Sequence, residues 1–183
     1  MASIKGKSSD RVSAPSRKLV EAIAAEMQAA VLPGDAPLAG EELAQAAAFV
    51  GEAAALREPG DTAVRLASAT EGRRMLRIAL VNEDMPFLVD SVAAAIAAHG
   101  IAIDRLVHPV VGVRRDSAGT LEAIGEGDGF DWESMIYIET DRVDARQRRE
   151  LERALRQVLA DVHVAVRDWP RLREAMRSDA ARM

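Results

Sequence analysis

The chain has 183 residues, enough for one domain of ordinary size with an appendage or for two small ones, and it needs no cross-link to hold a core. It contains no cysteine, which excludes a disulfide framework, a thiolate nucleophile and any sulfur-ligated zinc site. Net charge is −5, from 24 basic and 29 acidic residues of mixed order, so no clustered basic face is offered to nucleic acid, and no stretch approaches the ~20 apolar residues of a membrane span.

The first sixteen residues are polar and unpatterned. They carry no apolar h-region, so a mobile tail and a cytoplasmic location are expected. Leu19, Ile23, Met27 and Val31 then recur at helical spacing, and Pro33-Gly34 stops that helix. A second helix is expected from about Glu41 to Arg57, with Leu43, Ala47, Val50 and Ala54 on one face. Pro59-Gly60-Asp61 makes a turn, and Thr62 to Ala67 is read as a short strand. After Arg73 the apolar residues alternate, Leu76, Ile78 and Leu80 against Met75, Arg77, Ala79 and Val81. That is a strand apolar enough for an interior position in a sheet.

Asn82, Glu83 and Asp84 form a polar turn, and Pro86 falls where a first helical residue would. Met85, Leu88, Val89, Val92 and Ile96 make one apolar stripe, ended by Gly100 as a left-handed cap. A second strand opens at Ile101 and Ile103 and resumes after Pro109 as Val110, Val111 and Val113. A proline has no N–H for the ladder, so an edge strand with a bulge near His108-Pro109 is expected. Asp116 to Gly119 turns the chain into Thr120–Ile124, Gly125–Gly129 is read as a solvated hairpin loop, and Ser134–Thr140 is a further strand. Asp144 with Gln147 resembles a capping box opening a long helix, within which 162–166 fits strand and helix equally. Strand, helix, strand, strand, helix is the order of a ferredoxin-like α+β sandwich: an antiparallel sheet with helices on one face, here preceded by a helical pair. The expected divisions are a tail over 1–16, a helical segment over 17–61, the α+β domain over 62–170 and a helical linker over 171–183.

Candidate chemistry is sparse. His99, His108 and His163 show no convergent spacing, and no metal site is expected. The glycine run at 125–129 precedes a strand and carries Glu126 and Asp128, which would repel a phosphate. The turn Asn82–Leu88 is stronger, because it joins a strand to a helix start whose free amides can hold a carboxylate. The competing reading is that Asp84 occupies that positive end internally.

The stretch Val81-Asn82-Glu83-Asp84-Met85-Pro86-Phe87-Leu88-Val89-Asp90-Ser91-Val92 resembles a signature of the large bacterial NAD-specific glutamate dehydrogenases, in their N-terminal ACT-like domain. The resemblance continues through His108-Pro109-Val110, Val113-Arg114-Arg115-Asp116, Glu133-Ser134 and 158–162 to Asp168-Trp169-Pro170. Upstream it takes in Glu42-Leu43, Arg57-Glu58-Pro59-Gly60 and Val64-Arg65.

It implies a segment of a homo-oligomeric enzyme that converts L-glutamate and NAD to 2-oxoglutarate and ammonia, with its chemistry elsewhere. Such enzymes need a lysine at the carbon–nitrogen centre and a glycine-rich strand–helix turn for NAD. Here no lysine follows Lys18 and no such turn exists, so the segment is expected to be inactive and to hold no cofactor, NAD belonging to the parent. Its expected partners are the rest of that polypeptide and further copies, with neither nucleic acid nor membrane. An amino-acid effector would bind at Asn82, Glu83, Asp84, Met85, Pro86, Phe87 and Leu88. ACT sites commonly keep a glycine after the helix-opening proline, and Phe87 in its place is expected to fill the pocket. That favours assembly over sensing, through an exposed edge at Val110, Val111 and Val113.

Overall fold

The computed structural model describes residues 14–31, 36–69 and 74–180, with side chains as far as Arg167. The expected mobile tail over 1–16 lies outside the described residues up to Ser13, as do the Pro33-Gly34 stop and the last three residues of the expected linker. Helix α1 spans Arg17–Ala29, capped by Ser16, whose hydroxyl accepts the Leu19 N–H at 3.3 Å. Helix α2 spans Gly40–Ala54, and its buried face is mostly alanine and glycine. Small residues let the two helices approach closely. A Cβ on Gly51 would come within 3.3 Å of the Ile23 side chain.

The sheet comprises β1 (Ala63–Ala69), β2 (Met75–Glu83), β3 (Ile103–Val107), β4 (Val110–Arg115), β5 (Leu121–Ile124) and β6 (Asp131–Asp141). Helix α3 (Leu88–Ala98) follows β2, and α4 (Ala145–Ala180) follows β6. The strand order is β1-β2-β6-β4-β5, all antiparallel, with β3 beside β6 as well.

Helices α3 and α4 cover one face, as the ferredoxin-like pattern requires. Leu76, Ile78, Leu80, Ile136 and Ile138 meet Val92, Ile96, Leu151 and Leu155 there. The N-terminal pair α1 and α2 covers the other face, where Ile23, Val50 and Ala54 pack with Ala79, Val81, Met135 and Tyr137. This explains the unbroken apolar run of β2, since both sets of its alternating side chains are out of water. The helical pair and the α+β unit therefore share one core.

Val162–Val166 is helical, within an α4 that continues through Pro170. The place a last strand would take beside β2 goes to β1, from the N-terminal side. Asp144 Oδ1 accepts the N–H groups of Arg146 and Gln147, both at 2.8 Å. The Gln147 side chain reaches the His99 carbonyl at 3.4 Å and not Asp144, so only half of a capping box forms. Gly100 (φ 69°) ends α3 with both bonds of a Schellman turn, Gly100 N–H to Ala97 O at 2.9 Å and Ile101 N–H to Ile96 O at 3.4 Å.

Four local expectations need correction. Pro86 does not open α3, which begins at Leu88 after Phe87. The interruption at His108-Pro109 is not a bulge: Val107 faces Tyr137, Val110 faces Ser134, and Pro109 O still accepts the Met135 N–H at 3.0 Å. Proline withholds one donor without changing register, and the register shift lies between Ile103 and Arg105. Nor is β4 an exposed edge. It lies between β6 and β5, with Val111 and Val113 in the core, while β3 is the open half of the strand.

The loop 125–130 is also not a hairpin, because β5 and β6 flank β4 on opposite sides. It crosses β4 at Gly112, where any Cβ would stand 2.1 Å from the Gly125 carbonyl oxygen. Gly112→Ala should therefore cost about 1–3 kcal/mol or more in urea unfolding, because backbone must move. Gly127→Ala meets no atom within 4 Å and carries only the strain of its positive φ. A Gly112→Ala variant as stable as the parent chain would contradict the crossing.

Candidate functional site

The turn after β2 uses its polar groups inward. Asn82 is 1% exposed, and its Oδ1 accepts the Thr62 hydroxyl at 2.9 Å and lies 2.7 Å from His163 Nε2. Its Nδ2 is buried without a hydrogen-bond partner. Asp84 N–H donates to Trp132 O at 3.0 Å, and Asp84 Oδ1 accepts the Ser134 hydroxyl at 2.7 Å. Asp84 is thus held by β6 and does not cap α3, which has no side-chain cap. Phe87 sits at the N-cap with φ 72°, in the left-handed region, which costs a non-glycine residue about 1–3 kcal/mol. It is 64% exposed, so it fills no pocket, contrary to expectation.

His108 Nε2 lies 2.9 Å from the Ser134 Oγ that donates to Asp84. The three form a chain in the order Asp84, Ser134, His108. A serine nucleophile must give its proton to the histidine, whose far nitrogen a carboxylate orients. Here the serine proton goes to the carboxylate, so the arrangement ties β2, the β3–β4 junction and β6 together without activating a hydroxyl. Burial pushes the His108 imidazole below its ordinary 6.5, against the opposing charge of Asp84. A depressed imidazole favours the neutral ring in the fold, so the stability it supplies is complete above about 6.5 and falls away as pH drops through the lower folded value. Proton NMR should find His108 titrating below 6.5, and Asp84→Asn should move it lower. An upward shift in that variant would contradict the charge assignment.

Sequence reasoning passed over a second constellation. Glu133, 1% exposed, accepts Arg57 Nε at 3.1 Å and Arg115 Nε at 2.7 Å on Oε1, and Arg115 Nη2 at 2.8 Å on Oε2. Arg57 Nη1 goes on to Asp61 O at 2.9 Å, and Arg115 Nη1 to the Ala54 and Gly119 carbonyls, both at 2.8 Å. The end of α2, the β4–β5 turn and β6 are joined at one carboxylate. Gly119 (φ 87°) permits this, since a Cβ there would lie 2.4 Å from Arg57 O. All three charged residues fall within the segments that carry the family resemblance, but 76 residues separate Arg57 from Glu133 and no local pattern joins them.

Burial alone would raise the Glu133 carboxyl. The hydrogen bonds and charges of Arg115 and Arg57 outweigh it and hold the group below its ordinary 4.5. Its stabilisation is therefore complete above about 4.5 and is lost as pH falls through the lower folded value. Glu133→Gln should cost about 3–5 kcal/mol in urea unfolding at neutral pH, since two buried guanidiniums lose the carboxylate they share and Arg57 keeps only the half-exposed Glu83 at 3.9 Å. It should also flatten the acid limb of the stability curve; an unchanged limb would contradict the linkage.

Of the remaining expected site residues, Val110 is 39% exposed and lies diagonal to Trp132, 55% exposed, on the face that carries Ser134. A cavity of about 620 Å³ opens between Thr62, Glu83, Met85 and the α4 residues His163 and Arg167. The histidines do not converge: His99 Nδ1 lies 2.9 Å from Ala95 O, and His163 is with Asn82. Among the described residues no group of three potential metal ligands occurs, and no helix is long and apolar enough to cross a membrane.

An antiparallel sheet backed by α3 and α4, with a strand–helix turn whose polar groups close on themselves, defines an α+β domain of the ACT type. The family model described as glutamate dehydrogenase, ACT1 domain matches residues 23–155, and the chain belongs to that family. It is 37% identical over 97 residues, half of its length, to an NAD-specific glutamate dehydrogenase of Pseudomonas aeruginosa, and 35% identical over 106 residues, 55% of its length, to one of Halomonas elongata. The matched stretches amount to only 6% and 7% of those proteins. No solved structure matches the chain.

Proposed function

We propose that the chain is the non-catalytic N-terminal module of an NAD-specific glutamate dehydrogenase, and that it mediates contacts with the rest of that polypeptide and between its copies. The observation that carries this is Phe87: a large apolar side chain held in a costly backbone conformation and left in water gains only when something covers it. Val110 and Trp132 are two further exposed apolar side chains, diagonal neighbours on one face of the sheet. The contact surface is therefore assigned to this face and not to a β4 edge. Val111→Lys would strike the core and is no test of assembly. Asp84 and Asn82 Oδ1 are already engaged, which leaves the turn few groups for an effector.

Phe87→Gly and Trp132→Ser in the full-length enzyme should lower its sedimentation coefficient and its NAD-linked turnover together. Phe87→Gly should leave the melting temperature of the 183-residue chain unchanged or higher, since glycine accepts a positive φ. Unchanged sedimentation of both variants would overturn the assembly role. Glutamate-dependent NADH formation by the isolated chain would overturn the non-catalytic reading.

A second reading, amino-acid sensing at Asn82–Leu88, is favoured by the 620 Å³ cavity that Glu83 and Met85 of the turn line, with Thr62 and His163, the partners of the buried Asn82, on its wall. An effector at 100 times its dissociation constant would add about 2.7 kcal/mol of stability. Thermal unfolding with the common amino acids at millimolar concentration decides between the two readings, and no shift is expected.

A further inference from the structure

The positive end of helix α4 is already met by the Asp144 carboxylate, and the first turn beyond that cap is basic. Carboxylates are favoured in a first turn, where unsatisfied N–H groups make the helix end positive. The first turn of α4 has none and carries Arg146, with Arg148 and Arg149 following. Arg146 is answered by Glu150 at 2.9 Å. Arg148 is not, and it turns toward the other end of the β1–β2 pair.

There, Arg74 before β2, Arg142 after β6 and Arg148 on α4 line one cavity of about 450 Å³, with Ser68 of β1 on its wall. Its single carboxylate among the described residues is Asp144. Asp144 is committed to the α4 amides, which is also what draws its carboxyl below the ordinary value, through the Gln147 N–H above all. No described acid pairs with any of the three guanidiniums. Three like charges brought from three separate elements into one concavity repel one another, and nothing in the described fold rewards their meeting. Each guanidinium presents a planar fork of donors suited to phosphate oxygens. The volume is that of a small-molecule site, and its wall sets the three guanidiniums beside the apolar side chains of Ala69, Val143 and Ala145.

We propose that this cavity binds a multivalent phosphate anion, with Arg74, Arg142 and Arg148 as its ligands. The site rests on the guanidiniums and not on the helix end, whose amides Asp144 already holds. It does not depend on the assembly role argued above, and it lies apart from the Asn82–Leu88 turn.

The test is calorimetric titration of the 183-residue chain with inorganic phosphate, pyrophosphate and tripolyphosphate at fixed ionic strength, beside glutamate and 2-oxoglutarate. Affinity should rise from phosphate to tripolyphosphate and fall as salt is added. Arg74→Gln, Arg142→Gln and Arg148→Gln should each weaken tripolyphosphate at least tenfold, while Arg149→Gln, off the cavity, should not. In the absence of anion the three variants should melt at or above the temperature of the parent chain, because crowded charge is removed. A structural arginine would lower it. Where a glutamine variant fails to fold, the lysine variant takes its place; it keeps the charge, loses the fork and should still weaken binding. No binding by any phosphate, equal loss with Arg149→Gln, or tighter binding of a dicarboxylate would each overturn the proposal. So would a single-stranded oligonucleotide that binds far more tightly than tripolyphosphate through the same arginines, which would make this a nucleic-acid surface.

Discussion

A carboxylate with 1% of its surface in water can stay ionised only where opposite charge meets it directly, and Glu133 is met by Arg57 and Arg115 together. The consequences spread beyond the three side chains. Arg57 leaves α2 and starts the run to β1, Arg115 ends β4, and Glu133 lies near the start of β6. Their remaining N–H groups go to main-chain carbonyls of the segments around them, so the network fixes backbone as well as charge. Once it forms, the helical pair can no longer be a separate appendage. It is anchored beneath the sheet, and α1 and α2 become its second cover.

Covering both faces constrains everything packed between them. Strands β2 and β6 must be apolar on both sides, and most of the polar atoms they carry find partners inside the protein, Arg77 Nε and Asn82 Nδ2 excepted. Asn82 Oδ1 meets Thr62 and His163, Ser134 meets Asp84 and His108, and Tyr137 meets Glu139. Tyr137 shows the energetic effect: burial, with Glu139 beside it, raises its phenol well above the ordinary value. Outside the buried face lie Val110 on β4, Trp132 on β6 and Phe87 at the start of α3, all exposed.

Local patterns in the sequence carried much of this. The alternation of 75–81, the stripe ending at Gly100, the Asp116–Gly119 turn and the cap at Asp144 each depend on neighbours within a few residues, and each appears in the fold. The ambiguous 162–166 segment needed a partner strand to become sheet. β1 already lies beside β2, so the helix continued. The misreadings share one cause. Pro109 was judged by its missing donor, although its carbonyl still holds the register; 125–130 was judged by its glycines, although a crossing over β4 is what calls for them.

By itself, then, the sequence determined the α+β class, the succession of elements and, through the stretch at 81–92, the family. These rest on periodicity, caps and a contiguous motif, all short in range. Only the tertiary structure decided that the N-terminal helices share the core, that β4 is interior, and that Glu133 gathers arginines from 76 residues before it and 18 residues before it. A buried charge leaves no periodic trace in the chain, because its partner is chosen by where the strands and turns come to rest.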